Sequence, residues 1–518
     1  MPDSQTDYVI VGGGSAGCVL ARRLSDDPDV NVVLLEAGPD ALEPLIEIPF
    51  AFSQLLKSDL DWDNESEREP HLGDRRIHLA RGKVLGGSSA INALIYLRGN
   101  RLDFDSWERA GFCGWSFEDV LPYFKRAEDN EQLGDPYHGK GGPLAVSDNP
   151  TPHELVDAVI AAALQAGIAA NEDPNGAVQD GVGRWQSTQR NGRRSSTADG
   201  YLGPVRARPN LRVITDAEAT KVNFESDRAV GVEYLRHGEL KNASCQREVI
   251  LSAGSFNSPK LLLLSGIGPA ADLARLGIAC RENLPVGRNL QDHLIVMLNW
   301  LTDRESMKDA WTPENMARWE DDGTGPLASN VGEGGAFIRT RSALPAPDIQ
   351  LTFCPVMLGD DFLVPPTDHG LSLCPVLLKP ASRGVVSLRT SLPISKVRVQ
   401  NSYLAEDDDR RTMIDGVRAC LNIAEQAALR EVTTGPSLVP ASDSDADCLD
   451  FVERNAQTLY HPVGTCAMGA VVDRECRVLG HECLRVVDAS VMPEIPRANT
   501  NAATIMVAER AADFIKAA

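Results

Sequence analysis

The fold is decided by Asp7-Tyr8-Val9-Ile10-Val11-Gly12-Gly13-Gly14-Ser15-Ala16-Gly17. Residues 7–11 are a short β-branched run, the glycines follow as G-x-G-x-x-G, and residues 18–24 continue with helical spacing. This order predicts strand, tight turn and helix. Gly12 permits the turn, Gly14 lets a pyrophosphate approach the backbone, and Gly17 lets helix pack on strand. The helix start at Ser15 offers free N–H groups and the positive dipole end to phosphate. A second apolar run, residues 31–35, stops at Glu36, roughly 20 residues beyond Gly17, where an acidic side chain accepts from both ribose hydroxyls. That favours an adenosine without a 2′-phosphate. Gly13 to Gly17 also spell G-x-S-x-G, so a serine hydrolase using Ser15 is the competing reading, although it leaves Glu36 without a role.

Working outward, 518 residues with 43% apolar content and a net charge of −22 describe a folded acidic chain. The length suits two to four domains, or one large α/β unit with a smaller partner. With no basic block, nucleic acid is excluded as a partner, and anionic membrane surfaces are disfavoured. No apolar run reaches the roughly 18 residues of a membrane span, so no integral membrane segment is expected. Residues 1–7 lack a signal-peptide pattern. Eleven cysteines without a C-x-x-C pair read as reduced thiols, and the expected location is cytoplasmic. No metal is expected: the nine histidines are dispersed, and His153-Glu154-Leu155-Val156-Asp157 lacks the second histidine of a zinc motif.

Further along come Ala80-Arg81-Gly82-Lys83-Val84-Leu85-Gly86-Gly87-Ser88-Ser89-Ala90-Ile91-Asn92, then Gly254-Ser255-Phe256-Asn257-Ser258-Pro259, then Gly287-Arg288-Asn289-Leu290-Gln291-Asp292-His293. His461-Pro462-Val463-Gly464-Thr465, Arg485-Val486-Val487-Asp488-Ala489-Ser490 and Asn499-Thr500-Asn501-Ala502-Ala503-Thr504 complete the series. In content and order these stretches resemble the signatures of the glucose-methanol-choline family of flavin oxidoreductases, closest in flavour to its bacterial choline and alcohol dehydrogenases and oxidases. The resemblance spans nearly the whole chain. It implies FAD, held by Gly12, Gly14, Ser15, Gly17, Glu36, Ala37, Arg81, Gly86, Gly87, Ser88, Asn92, Ala253, Gly254, Asp488, Ala489, Asn501 and Thr504. Asp488 is expected on the ribityl or pyrophosphate side of the flavin. Some relatives carry a flavin-linked histidine where this chain has Ile91, so non-covalent FAD is expected.

The fold expected is α/β: a Rossmann-like FAD-binding domain (1–100, 185–293 and 456–518) interrupted by a substrate domain on an antiparallel sheet with helices (101–184 and 294–455). Residues 212–215, 229–234 and 248–251 read as strands of the nucleotide domain. Residues 59–70, rich in Pro, Asp and Glu, read as a lid over the flavin. Residues 349–356, 371–378, 384–388 and 397–401 read as strands of the substrate sheet, followed by a helix over 408–428. A last helix is expected over 501–515.

The resemblance places the family's catalytic pair at His461 and Asn499. Alcohol oxidation needs a base for the hydroxyl proton and a group that holds the oxygen. Imidazole, with an ordinary pKa of about 6.5, suits the first task, and an amide suits the second. Asn501 competes with Asn499, and otherwise lies near the flavin or caps the last helix. Leu459, just before the base, restricts the space above the flavin and mildly favours a dehydrogenase, or packs in the core. The implied partners are a primary alcohol and either O2 or a quinone-like acceptor, with choline not favoured and the oligomeric state open. A lyase or photodecarboxylase of the same family, and a non-catalytic flavoprotein, are the other readings.

Overall fold

In a computed structural model that describes residues 6–359 and 362–518, the β-branched runs at the N-terminus become strands buried at every position, Tyr8–Val11 and Val32–Leu35. Continuous apolar strands of this kind suit a parallel sheet covered on both faces. The sheet runs Leu211–Ile214, Val32–Leu35, Tyr8–Val11, Glu248–Leu251, Leu484–Val486, with every neighbour parallel. The strands come from distant parts of the chain, as an interrupted Rossmann-like unit requires. The helix Ser15–Leu24 packs beside the last helix, Thr500–Lys516. Of residues 1–7, which carry the reading on targeting, 1–5 lie outside the described residues.

A second sheet is antiparallel, in the order Gly435–Leu438, Leu298–Leu301, Gly370–Leu377, Ile349–Cys354, Gly334–Ile338, Gly181–Arg184, with Leu294–Ile295 and Gln457–Thr458 attached beside it. Alternation along its strands gives each face a task. Leu351, Phe353, Leu371 and Leu373 pack into a core with Met413, Val417 and Cys420 of the helix Asp407–Ala424. Thr352, Cys354 and Cys374 point the other way, into a cavity that reaches the parallel sheet.

Three expectations about elements need correction. Residues 229–234 join no parallel sheet; they lie within Arg228–Arg236, the middle strand of an antiparallel meander with Ala217–Glu225 and Glu239–Ser244. Tight turns reverse the chain on either side, with positive φ at Ser226 (54°) and at His237 and Gly238 (51° and 80°). Residues 384–388 and 397–401 form a ribbon of their own, Val385–Ser387 with Arg398–Gln400, outside the large sheet. The helix expected over 408–428 stops at Ala424 and restarts as Ala427–Arg430, because Gln426 is extended (ψ 150°). The acidic stretch 59–70 has one side in the protein and one in solvent: Asp61, Asn64, Ser66 and Glu69 are buried, Asp59, Asp63, Glu65, Arg68 and Pro70 are exposed, and Trp62 lines the cavity that reaches the parallel sheet. Its buried charges are met locally: Asp61 accepts from the N–H groups of Lys57, Asp63 and Arg81, and Glu69 accepts from Asn401 N–H.

Candidate active site

A cavity lies between the two sheets and takes its wall from both of them. At one end lie the carboxyl ends of the parallel strands, with Gly12, Gly14, Ser15, Glu36 and Ala37 in its wall. Gly12 has φ +100°, and a Cβ there would sit 2.5 Å from Ser252 O. Gly17 does not face the cavity; a Cβ on it would come 1.8 Å from Gly12 O, so its bareness serves the contact between turn and helix. At Gly14 an added Cβ would meet only Gly87 Cα, at 3.7 Å, so what its bareness leaves open is the cavity itself. Glu36 accepts from Gly13 N–H (2.7 Å) and Gly38 N–H (2.8 Å). Burial pushes its carboxyl up to about 7 against these bonds.

A second loop meets the first. Gly86 N–H donates to Gly13 O (2.7 Å), and Arg81, Gly87, Ser88 and Asn92 face the cavity while Gly86 does not. Buried Arg194 braces this loop from behind, donating to Ile46 O, Ser89 O, Asn92 O and Asn92 Oδ1. Ala253, Gly254, Ala489, Asn501 and Thr504 also line the cavity. Asp488 does so too, but both its oxygens are consumed within the protein. Oδ1 accepts from Ser490 N–H and Oγ, and Oδ2 from Gly254 N–H and Ser258 Oγ. Asp488 thus ties the start of the Gly254–Leu264 helix to the turn at Ala489 within the cavity wall. Asn501 is not a cap. It lies in the first turn of the last helix, where Ser15 Oγ donates to its Oδ1 (2.7 Å), and Asn499 holds the N-cap position. This bond also leaves the hydrolase reading without a base, since Ser15 pairs with an amide rather than a histidine. The bare Gly14, the open N-terminus of the Ser15–Leu24 helix and the buried, unpartnered Ser252 Oγ suit a phosphate-bearing dinucleotide.

At the far end His461 stands between His293 and Asn499. Its Nδ1 lies 2.9 Å from His293 Nδ1, its Nε2 lies 3.3 Å from Asn499 Nδ2, and His293 Nε2 lies 3.1 Å from Leu378 O. A carbonyl only accepts, so His293 carries its proton on Nε2 and accepts at Nδ1. His461 must then donate from Nδ1, which leaves the lone pair of Nε2 facing the Asn499 amide. Burial, and after it the neighbouring His293 and Arg81, hold His461 well below the ordinary imidazole pKa. Burial likewise pushes His293 down to about 3. The base is thus neutral at neutral pH instead of titrating there. Asn499 Oδ1 is buried without a hydrogen-bond partner among the described residues.

The backbone is held as firmly. Tyr460, just before the base, has φ +63°, a conformation that costs an aromatic residue about 1–3 kcal/mol. Asp292 offsets this strain: Oδ1 accepts from His461 N–H (2.7 Å), and Oδ2 accepts from Tyr403 OH and Thr458 Oγ1 (both 2.6 Å). The Arg81 guanidinium donates to Tyr460 O.

Sequence reasoning missed Asp292, His293, Arg194, and the wall formed by Ala217, Glu218, Ala219 and Lys260. The first two lay inside a quoted motif and only lacked a role. Lys260 belongs to the stretch that begins at Gly254 and likewise lacked a role, whereas nothing in the local sequence marks Ala217, Glu218 and Ala219.

Two family models described as GMC oxidoreductase match residues 6–295 and 380–508. The chain is 41% identical to an "Alcohol dehydrogenase [acceptor]" of Pseudomonas putida, covering 98% of this chain and 95% of that one. It is 40% identical to an oxygen-dependent choline dehydrogenase of Sinorhizobium fredii, covering 99% and 95%. Among solved structures, pyridoxine 4-oxidase from Mesorbium loti superposes with a TM-score of 0.91 at 32% identity over 99% of both chains. The chain belongs to the GMC oxidoreductase family, and it is an FAD-binding oxidoreductase acting on CH–OH groups. Among the described residues no helix is long and apolar enough to cross a membrane.

Proposed function

We propose that the protein oxidises a primary alcohol to an aldehyde and passes the electrons to O2 or a quinone-type acceptor. The observation that carries this reading is the hydrogen-bond chain from Leu378 O through His293 to His461, which leaves the Nε2 lone pair of His461 beside the Asn499 amide in the cavity wall. Bound FAD supplies the acceptor for the hydride that leaves the carbinol carbon. His461 Nε2 takes the hydroxyl proton, and its Nδ1–H remains bonded to His293, which steadies the ring as charge develops. Asn499 Nδ2 donates to the substrate oxygen as it becomes alkoxide-like. Asp292 and Arg81 hold the turn at Tyr460 and so fix the position of the base. Gly12, Gly14, Ser15, Glu36, Ala37, Arg81, Gly87, Ser88, Asn92, Ala253, Gly254, Ala489, Asn501 and Thr504 hold the cofactor, Asp488 anchors the wall that faces it, and Gly17 and Gly86 shape its cradle from behind. The activity of the P. putida relative supports the alcohol.

The test is anaerobic titration of the yellow holoenzyme with primary alcohols, with the aldehyde trapped and quantified. One aldehyde per flavin bleached supports the reading; bleaching without an aldehyde contradicts it. Recovery of colour on admission of air, set against recovery with a quinone, then assigns the acceptor.

A further inference from the structure

Resting on that reading, we infer that the chamber at His461 takes a neutral, apolar primary alcohol and rejects one that carries a quaternary ammonium group. The chamber wall is built from the cavity-facing positions of the antiparallel sheet. Ile295 follows His293 by two positions and lies opposite Gln457 in the strand pairing. Together with Cys374 it forms an apolar cluster against which Leu358, Phe362 and Leu459 pack. Cys354 continues the wall from the neighbouring strand.

Among the described residues, the charges that line the cavity lie elsewhere or have the wrong sign. Glu36 is engaged by backbone N–H groups at the nucleotide end. Glu218 is paired with Lys260 at 3.6 Å, and Asp488 has both oxygens bonded. Two charges flank the base: the Arg81 guanidinium, in the cavity wall, is bonded to the carbonyl of Tyr460, and Asp292, behind the wall, accepts from His461 N–H, Tyr403 OH and Thr458 Oγ1. With its hydroxyl at His461, choline would place a trimethylammonium group two carbons away, among Ile295, Leu459 and Cys374, where the carboxylate of Asp292 is already engaged. A cation buried without a countercharge binds poorly. Aromatic rings can substitute for a carboxylate when they frame a cation. Among the rings that line the cavity, Trp62 already meets Lys83 Nζ at 4.9 Å and Phe256 meets the Arg81 guanidinium at 6.0 Å, while Phe362 and Tyr460 pack on each other with centroids 6.1 Å apart and Tyr460 also meets His78 at 6.2 Å. Asp360 and Asp361 lie outside the described residues, and their neutralisation is one arm of the test.

The holoenzyme is compared on choline and on 3,3-dimethylbutan-1-ol, which has the same shape with carbon in place of N⁺. Flavin reduction is followed anaerobically after mixing. The expected kcat/KM is higher for the neutral isostere by at least about 100-fold, and the same ratio is expected in the double variant D360N/D361N. Ile295→Glu, which adds a carboxylate to the wall, is expected to move the ratio towards choline by at least about tenfold. If neither compound is oxidised while other alcohols are, the pair is read as competitive inhibitors, and the neutral one should inhibit at the lower concentration. A wild-type ratio, or inhibition order, that is equal or favours choline overturns the inference. If D360N/D361N abolishes such a choline preference, the cation site belongs to those carboxylates. An unchanged ratio in a folded Ile295→Glu variant contradicts the placement of Ile295 beside the bound alcohol. Failure of every alcohol to bleach the flavin instead removes the alcohol reading itself.

Discussion

The proposed role of His461 as base rests on a carbonyl two residues removed in the hydrogen-bond chain. Leu378 O fixes the tautomer of His293, and His293 fixes that of His461. Since burial holds His461 well below its ordinary pKa, the neutral form is complete at neutral pH. The acid limb of the kcat/KM profile is therefore predicted below pH about 6.5; a limb at or above that value would contradict the account. Glu36 behaves oppositely. Its pKa is raised to about 7 by burial, so its contribution to stability is present below the unfolded value of about 4.3 and is lost as pH rises through about 7. Ribose hydroxyls that donate to the ionised carboxylate reverse this preference. The apo-protein should therefore bind FAD more tightly at pH 8 than at pH 5.5 by fluorescence titration. An affinity that does not change with pH, or that falls as pH rises, counts against a ribose contact. His461, Asn499 and Glu36 were legible in the sequence because each sits at a fixed place in a motif. The work of His293 was not, since it depends on the register that sets Leu294 opposite Thr458.

At the scale of elements, the three motif glycines separate into different tasks. Gly17→Ala drives a Cβ to 1.8 Å from backbone, and should cost about 3 kcal/mol or more. Gly14→Ala meets only one atom, at 3.7 Å, and should leave apo-protein stability within about 1 kcal/mol of wild type while FAD retention is lost. Thermal melts of the two apo-variants, read beside their flavin content, check this; a Gly14→Ala protein that retains FAD would contradict a cofactor on that face. The strand, turn and helix at 7–24 were legible because period and glycine spacing agree there. The meander and the separate ribbon were not, because alternation identifies a strand but not its partner, and hairpin turns such as Ser226 and His237-Gly238 chose the pairing.

Across the whole molecule, the chain end closes on the chain beginning. Buried Glu509 in the last helix accepts from Arg23 Nε and Nη2 (both 2.8 Å) and from Tyr201 OH (2.7 Å), and it pairs with Arg126 at 2.7 Å. Glu509→Ala leaves two part-buried guanidinium groups short of a partner and should cost about 3 kcal/mol, measured by denaturant unfolding of the holoenzyme. A change below about 0.5 kcal/mol, the size of a surface substitution, would mean that the network carries no load. That the chain divides between a nucleotide sheet and an antiparallel sheet was legible from the change in texture after residue 294. That one cavity joins them, with His461 at its far end and apolar walls around it, required the packing of segments hundreds of residues apart. The central claim, that this cavity oxidises an alcohol with His461 as base, is tested most directly by rapid anaerobic mixing of wild type and His461→Ala with the same primary alcohol. The account predicts that the variant keeps its bound FAD and is reduced about 10²–10⁴-fold more slowly; reduction at the wild-type rate would contradict it.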